Sequence, residues 1–393
     1  MGKFTFILEV HVNNMGASSS HQGKAGVPGQ NHSALPADPV PYNGPAIEYR
    51  IVAVFSKLKG HSGFGSQVAT SDVQSYYGTL AQQYGEYFKL NTFFQVPLGC
   101  QQRGFRSVTI PFQGVLSRPA VYTPSNEKWL LQVQQSTIQI SRIRGGALFS
   151  FGGCLDEHVG DIYNRIVQCA QTGGKLICME CSGNVARQGT FNPAAICGVD
   201  LFFDVPQHPN PTIYTYVAYS TPMNVSYGFG SCSIQCDWNG ALAMHLDQGW
   251  KLVDIFIPQQ EASLGQQQQS YMRNLNTIWF FEKEAAKSAD MSPRYQVTMV
   301  EYYMRFSAGF GSVNANLDLG PMITEMGGRG WELVCVLDTP QTTSGFGSGT
   351  RTVIVFFQRP IAGVLPPVGF VPAPALPPIT EPTPPSAEAS SYK

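Results

Sequence analysis

The sequence predicts an α+β fold: four tandem βαββ units with mainly antiparallel sheets and helices on one face. Three observations predict it. Gly249-Trp250-Lys251-Leu252-Val253 returns as Gly330-Trp331-Glu332-Leu333-Val334, 81 residues on. Gly228-Phe229-Gly230-Ser231 returns as Gly309-Phe310-Gly311-Ser312 at the same offset, and Gly63-Phe64-Gly65-Ser66 lies 165 residues before the copy at Gly228, close to twice 81. Self-similarity at a fixed period marks a repeated supersecondary unit.

The unit reads most clearly in the second half. Ile213 to Tyr219 alternates as a strand should. A Gly-rich turn follows at Gly228. Asp237 is placed to cap a short helix carrying Ala241, Leu242, His245 and Leu246. Gly249 ends that helix as a left-handed terminator. Trp250 to Ile257 is a strand, a polar Gln-rich loop follows, and Thr277 to Phe281 is the last strand. The next copy has a strand at 295–303, a helix with Met322, Ile323 and Met326, then strands at 331–337 and 352–357. Upstream, strands at 129–140 and 199–203 flank a helix at 156–170, and Gly174-Lys175-Leu176-Ile177 stands where Gly-Trp-Lys-Leu-Val should. Farther upstream come a strand at 48–55, a helix at 73–84, Phe88-Lys89-Leu90 at twice the period, and a strand at 108–115. The predicted organisation is a mostly disordered arm over 1–46, units over 47–119, 129–206, 212–284 and 294–360, and a Pro-rich disordered tail over 361–393.

Gly249, Trp250, Gly330 and Trp331 are read as a structural hinge. Glycine frees the backbone for a sharp return onto the sheet. The aromatic ring then packs across the joint with much apolar area.

Composition narrows the function. The 393 residues are 13% charged with a net charge of −1, and no Lys/Arg run is visible. The electrostatic footprint of a nucleic-acid binder is therefore missing. Nine cysteines without an N-terminal secretory signal read as reduced cytosolic thiols. Glu9 and His11 interrupt the apolar stretch from Phe4 to Val12, and no apolar run approaches the ~20 residues of a transmembrane helix.

The residues around the second hinge carry a family resemblance. Gly330-Trp331-Glu332-Leu333-Val334, a polar hairpin with Thr339-Pro340, and Phe357-Gln358-Arg359-Pro360 resemble the C-terminal part of the raftlin family over Tyr295 to Pro360. Ile47-Glu48-Tyr49-Arg50 is similar to a raftlin first strand. The resemblance implies an acylated, non-enzymatic lipoprotein at the cytoplasmic face of the plasma membrane, associated with lipid rafts and with receptor signalling or uptake. The family's anchor is Met-Gly-Cys, with myristate on Gly and palmitate on Cys. Met1-Gly2-Lys3-Phe4-Thr5-Phe6 fails the acylation pattern, whereas Met15-Gly16-Ala17-Ser18-Ser19-Ser20 fits it in full. The expectation is myristate on Gly16 with translation starting at Met15. The bland alternative is a chance match in a Gly/Ser-rich arm, with Met1 as the start. Ala17 replaces the palmitoylated Cys, and no cysteine precedes Cys100.

Other chemistry is sparse. Gly-Phe-Gly-Ser lacks the Lys of a P-loop and the spacing of a dinucleotide fingerprint, and it recurs out of phase at Gly345, so it reads as a turn. Cys178 and Cys181 form the spacing zinc would favour. On a strand, however, an offset of three puts the two sulfurs on opposite faces, so no metal is expected and buried structural cysteine is the reading. No catalytic residue and no cofactor is assigned. Asp156, Glu157, His158 and Asp161 suit a helix start. Pro374, Pro377, Pro382 and Pro385 form PxxP segments suited to an aromatic groove, the alternative being a plain solvated tail. The expected function is a non-catalytic scaffold or adaptor with protein partners, a membrane contact through the myristoyl group, and self-association as one route to firmer anchoring. The alternative is a soluble cytosolic module binding a small molecule or peptide between its units.

Overall fold

The computed structural model describes residues 31–36, 44–63, 66–99, 101–102, 107–121, 128–140, 156–188, 194–208, 212–228, 230–258, 274–309, 312–345 and 348–361. Two eight-stranded antiparallel sheets and four α-helices make up the body among these residues.

In the first sheet the strands are β1 (Ile47–Gly63), β2 (Ser66–Ser71), β3 (Lys89–Gln95), β4 (Gln101–Gln102), β5 (Ser107–Pro119), β6 (Trp129–Ile140), β7 (Lys175–Gln188) and β8 (Ala194–Pro206). Helices α1 (Tyr77–Gln83) and α2 (Asp156–Gln171) belong to this half. The second sheet contains β9 (Tyr214–Gly228), β10 (Ser231–Cys236), β11 (Lys251–Phe256), β12 (Asn274–Glu284), β13 (Tyr295–Gly309), β14 (Ser312–Ala315), β15 (Glu332–Gly345) and β16 (Ser348–Pro360). Its helices are α3 (Trp238–Leu246) and α4 (Gly320–Gly328).

The first sheet runs β3-β5-β1-β2-β7-β8-β6, with β4 also on β5; the second runs β11-β12-β9-β10-β15-β16-β13-β14. One pairing order therefore recurs in four quarters of the chain: the strand after the helix, the closing strand, then the opening strand. Quarters join pairwise through β2 on β7 and β10 on β15.

Two local expectations change. The Gly-Phe-Gly-Ser turns lie between paired strands: Gly63 faces Ser66, Gly228 faces Ser231, Gly309 faces Ser312, and Gly345 faces Ser348. Three of them therefore add a short strand, β2, β10 or β14, before the helix. The expected helix over 73–84 is broken into a 3-10 turn at Val73–Tyr76, the α1 turn, and a second 3-10 turn at Tyr84–Glu86. Gly78, Gly85 and a run of tyrosines are poor helix formers, and no side chain caps either end of α1. Asp237 does cap α3, accepting the Gly240 N–H at 2.9 Å.

The hydrophobic cores show how the quarters fit. The core around α2 takes Ile162 and Ile166 with Leu201 and Phe203, then adds Val253, Phe256 and Phe280 from the next quarter. The core around α3 adds Val334, Leu337 and Phe356 from the quarter after it. That around α4 returns to the chain start, adding Phe94 and Val115, and that around α1 adds Ile177 and Phe202. Each quarter buries its helix against its successor, and the fourth meets the first, so the body is a closed ring.

Candidate functional site

The hinge residues come first. Gly249 has φ +78° and Gly330 φ +74°, and the same left-handed turn occurs at Gly173 (φ +83°) and at Tyr87 (φ +65°). The upstream phrase is thereby corrected by one place. Gly173, not Gly174, is the hinge, and Gly174 occupies the aromatic position. A Cβ at Gly174 would lie 2.4 Å from Cys169 Sγ and 2.9 Å from Cys169 O, so no ring fits there.

Where the aromatic is present, a cation from the closing strand covers it. The Arg118 guanidinium lies 4.3 Å from the Phe88 ring centre, Lys283 Nζ lies 5.6 Å from that of Trp250, and the Arg359 guanidinium lies 4.3 Å from that of Trp331. Each cation also donates to the carbonyl just before the left-handed residue: Arg118 to Glu86 O (3.1 Å), Lys283 to Gln248 O (2.8 Å), and Arg359 to Arg329 O (3.1 Å). These carbonyls close a helix and would otherwise lack a partner. In the second quarter Lys175 pairs with Asp204, so the next residue of the closing strand, Val205, stands in the register of these cations. The hinge phrase is thus spent on joining helix to sheet.

Three residues on, every quarter has a β-bulge: between Leu90 and Thr92, Leu176 and Cys178, Leu252 and Asp254, and Leu333 and Cys335. Thr92, Cys178, Asp254 and Cys335 are all buried. At Cys178, Asp254 and Cys335 the bulge turns the side chain from its own ladder to the neighbouring quarter. Cys178 Sγ accepts from the Phe93 N–H (3.3 Å), and the Asp254 carboxylate accepts from the Met179 N–H (2.8 Å). The Ile255 N–H faces Cys335 in turn. Burial pushes the Asp254 carboxyl up to about 7, against the pull of the Met179 and Ile255 N–H donors. Burial, helped by the Asp254 charge, raises the Cys178 and Cys335 thiols well above the usual range. They are protonated at neutral pH and are poor nucleophiles and poor metal ligands.

Tyrosine hydroxyls satisfy the backbone beside the bulges. Tyr216 Oη accepts from Leu176 N–H (3.0 Å), Tyr49 Oη from Leu333 N–H (2.6 Å), and Tyr84 Oη from Leu90 N–H (3.1 Å). Tyr49 also donates to Trp331 O at 2.8 Å, tying the first strand to the last hinge.

Cys178 and Cys181 enter different cores, the former around α1 and the latter around α2, as the strand spacing implied. No group of three or more metal-ligating side chains occurs among the described residues. Gly16 and the PxxP residues Pro374, Pro377, Pro382 and Pro385 lie outside the described residues.

A polar cleft of about 450 Å³ lies between the first two quarters, among β2, β6, β7, β8 and α2. A second irregularity in β7, between Cys181 and Val185, opens it. There Gly183 is left-handed (φ +81°) and Ser182 Oγ donates to Gly198 O. Gln74, Asp161, Arg165, Asn184 and Asp200 supply its polar groups. Asp200 accepts from Tyr77 Oη at 2.5 Å and from Gln74 Nε2 at 3.4 Å, and burial raises its pKa. Arg165 pairs with Asp161 at 3.0 Å. No histidine lines the cleft among the described residues, and its serine hydroxyls donate to a carbonyl and to a carboxylate. This is a hydrogen-bonding recess between the two quarters.

Comparison with known proteins places the chain. The raftlin family model matches residues 171–364, from the end of α2 through β16. Raftlin from Gallus gallus is 27% identical over 147 residues, covering 37% of this chain and 23% of that protein. Raftlin from Mus musculus is 25% identical and that from Homo sapiens 26% identical over the same length, covering 25% and 24% of those proteins. Over these residues the chain is similar to the raftlin family. The matched stretch spans about a quarter of the length of these relatives. No solved structure matches it.

Proposed function

We propose that this chain is a non-catalytic, raftlin-like scaffold that works at the cytoplasmic face of a membrane. Its body is four tandem copies of one unit, and its terminal segments supply location and partners. The observation that carries the reading is the fate of the signature residues. The hinge aromatics and their cations are engaged in joining helix to sheet, and Cys178, Asp254 and the Tyr49 and Tyr216 hydroxyls in joining quarters, so the signature residues serve the fold. Raftlin relatives supply the raft association in name. No helix among the described residues is long and apolar enough to cross a membrane, so attachment is assigned to the arm. Myristate on Gly16 would attach the chain only reversibly, with a constant of about 10⁴ M⁻¹. Firm anchoring therefore needs self-association or a membrane-bound partner. N-terminal mass spectrometry with membrane fractionation tests this. Myristoyl-Gly16 in the membrane fraction is expected, with loss of membrane association on deleting residues 1–46. An unmodified Met1 terminus as the sole species, or unchanged association after the deletion, contradicts it.

The cleft favours a second reading, a module that binds a hydroxyl-rich small molecule between its first two quarters. Thermal-shift screening of polyols and sugars against the chain and its Asp200→Asn variant tests it. A shift lost in the variant supports the reading, and no shift with any compound removes it.

A further inference from the structure

The opening strand of each quarter is bonded to its closing strand on one side, and the ladder fixes which backbone groups face the other side. At the mouth of the β6–β8 ladder the Gln207 N–H donates to Lys128 O (2.8 Å), and at that of β13–β16 the Ile361 N–H donates to Arg294 O (2.9 Å). Bonded pairs alternate along an antiparallel strand. Residues 135 and 137 of β6, like 301 and 303 of β13, therefore turn their N–H and C=O groups away from the closing strand. Trp129 faces Pro206 as Tyr295 faces Pro360, so 135–137 and 301–303 are the same positions in two quarters.

In the fourth quarter an extended segment occupies this edge. His32 stands opposite Tyr302 in an antiparallel bridge. The Tyr303 N–H donates to Asn31 O (2.5 Å), the Ser33 N–H donates to Glu301 O (2.8 Å), and the Glu301 N–H donates to Ser33 Oγ (3.1 Å). In the third quarter Tyr214 stands where Tyr295 does, so the position of Tyr303 falls to Pro222, which has no N–H to offer. In the first, Asp72 takes the edge two residues on, at Lys57, accepting the Lys57 N–H (2.6 Å) and donating its own to Lys57 O (3.3 Å). In the second, no strand among the described residues pairs with the outer side of β6, and Gln135, Ser136 and Thr137 line the cleft of about 450 Å³. Over its 12 residues β6 has no charge, no proline and no register shift, the guards that natural edge strands carry. We propose that the β6 edge at 135–137 is a strand-addition site for an extended segment of a partner protein, whose central residue lies opposite Ser136 and is followed by Ser or Thr. The Thr137 N–H donates to the carbonyl before the central residue, Gln135 O accepts from the N–H after it, and the Gln135 N–H donates to the hydroxyl. Such main-chain pairing is a common mode of peptide capture. The inference rests on the scaffold reading for its role and names where a partner docks.

The test offers the full chain a synthetic peptide with the sequence of residues 31–36, acetylated, amidated and carrying benzoylphenylalanine in place of His32, at about 1 mM to match the weak affinity of a short peptide. Irradiation is expected to give crosslinks to residues 134–138 of β6 or 161–165 of α2. Their yield should fall about fivefold or more with Thr137→Pro, which removes one outward N–H, and with Ser33→Ala in the peptide, which removes the hydroxyl. The peptide substitution leaves the protein untouched and decides the matter if Thr137→Pro folds poorly. Asp200→Asn should keep the crosslinks while abolishing any shift by polyols, so the two occupants of the cleft are told apart, and membrane fractionation tests the scaffold reading separately. No crosslinks, crosslinks confined to residues 297–305, or yields unchanged by both Thr137→Pro and Ser33→Ala would each overturn the site.

Discussion

The left-handed position at the end of each helix sets what a residue there costs. At Gly249, φ is +78° and a Cβ would sit 2.6 Å from Ser292 O. Gly249→Ala is therefore expected to lose about 1–3 kcal/mol, read from urea unfolding. The fourth such residue, Tyr87, carries a side chain at φ +65°. Tyr87→Gly should be neutral or gain up to about 1 kcal/mol in the same measurement. Asp254 makes a pH-dependent prediction. Its folded pKa of about 7 lies above the usual carboxylate value. The folded state thus holds a proton that the unfolded state has lost. Stability is full below about pH 4 and falls as pH rises through about 7, by up to about 1.4 kcal/mol per unit. Asp254→Asn should flatten the fall in Tm between about pH 5 and pH 8, and an unchanged slope would assign it to other groups. Gly249 and Gly330 were legible in the sequence because one glycine precedes one tryptophan. The second-quarter hinge was misplaced by one because Gly173 and Gly174 adjoin and nothing local says which carries the positive φ. Asp254 gave no signal at all, because its partners are backbone N–H groups, one of them on a strand 75 residues away.

At the scale of elements, the helix-to-strand joint is a three-part device of left-handed residue, aromatic ring and cation. Sequence reading found the first two because they are adjacent. The cation lies on the closing strand, at Arg118, Lys283 or Arg359, and only the pairing of that strand reveals it. Removing a buried cation strands a carbonyl and uncovers a ring. Arg359→Ala should cost about 2–4 kcal/mol by chemical denaturation, whereas Val205→Ala, with no carbonyl to satisfy, should cost about 1–2 kcal/mol. Equal losses would show that the cation acts by packing alone. The Gly-Phe-Gly-Ser turns were legible as turns, but the short strands after them were not. β2, β10 and β14 have four to six residues, too few for a convincing alternation.

At the scale of the molecule, the period of 81 residues announced repetition but not closure. Which quarter meets which is decided by interface residues scattered through the chain. Gly327 is one. A Cβ there would meet Ile47 O at 2.5 Å and Tyr49 Cε2 at 2.7 Å, so α4 approaches β1 only because this residue is glycine. Tyr49 is another, joining strands 284 residues apart in sequence. Ring closure brings residues 31–36 onto β13, where the Arg329 guanidinium donates to Pro36 O while Arg359 donates to Arg329 O. The proposed function rests on the ends and on the surfaces between quarters, and the most direct test is of the closure that brings the first and fourth quarters together. Hydrogen exchange resolved to single amides, comparing the native chain with Tyr49→Phe, reads it. The Leu333 amide should exchange at least about tenfold faster in the variant, one lost hydrogen bond of about 1.4 kcal/mol or more, while the Leu176 amide, capped by Tyr216, stays unchanged. Unchanged exchange at Leu333 would mean that the first and fourth quarters do not meet.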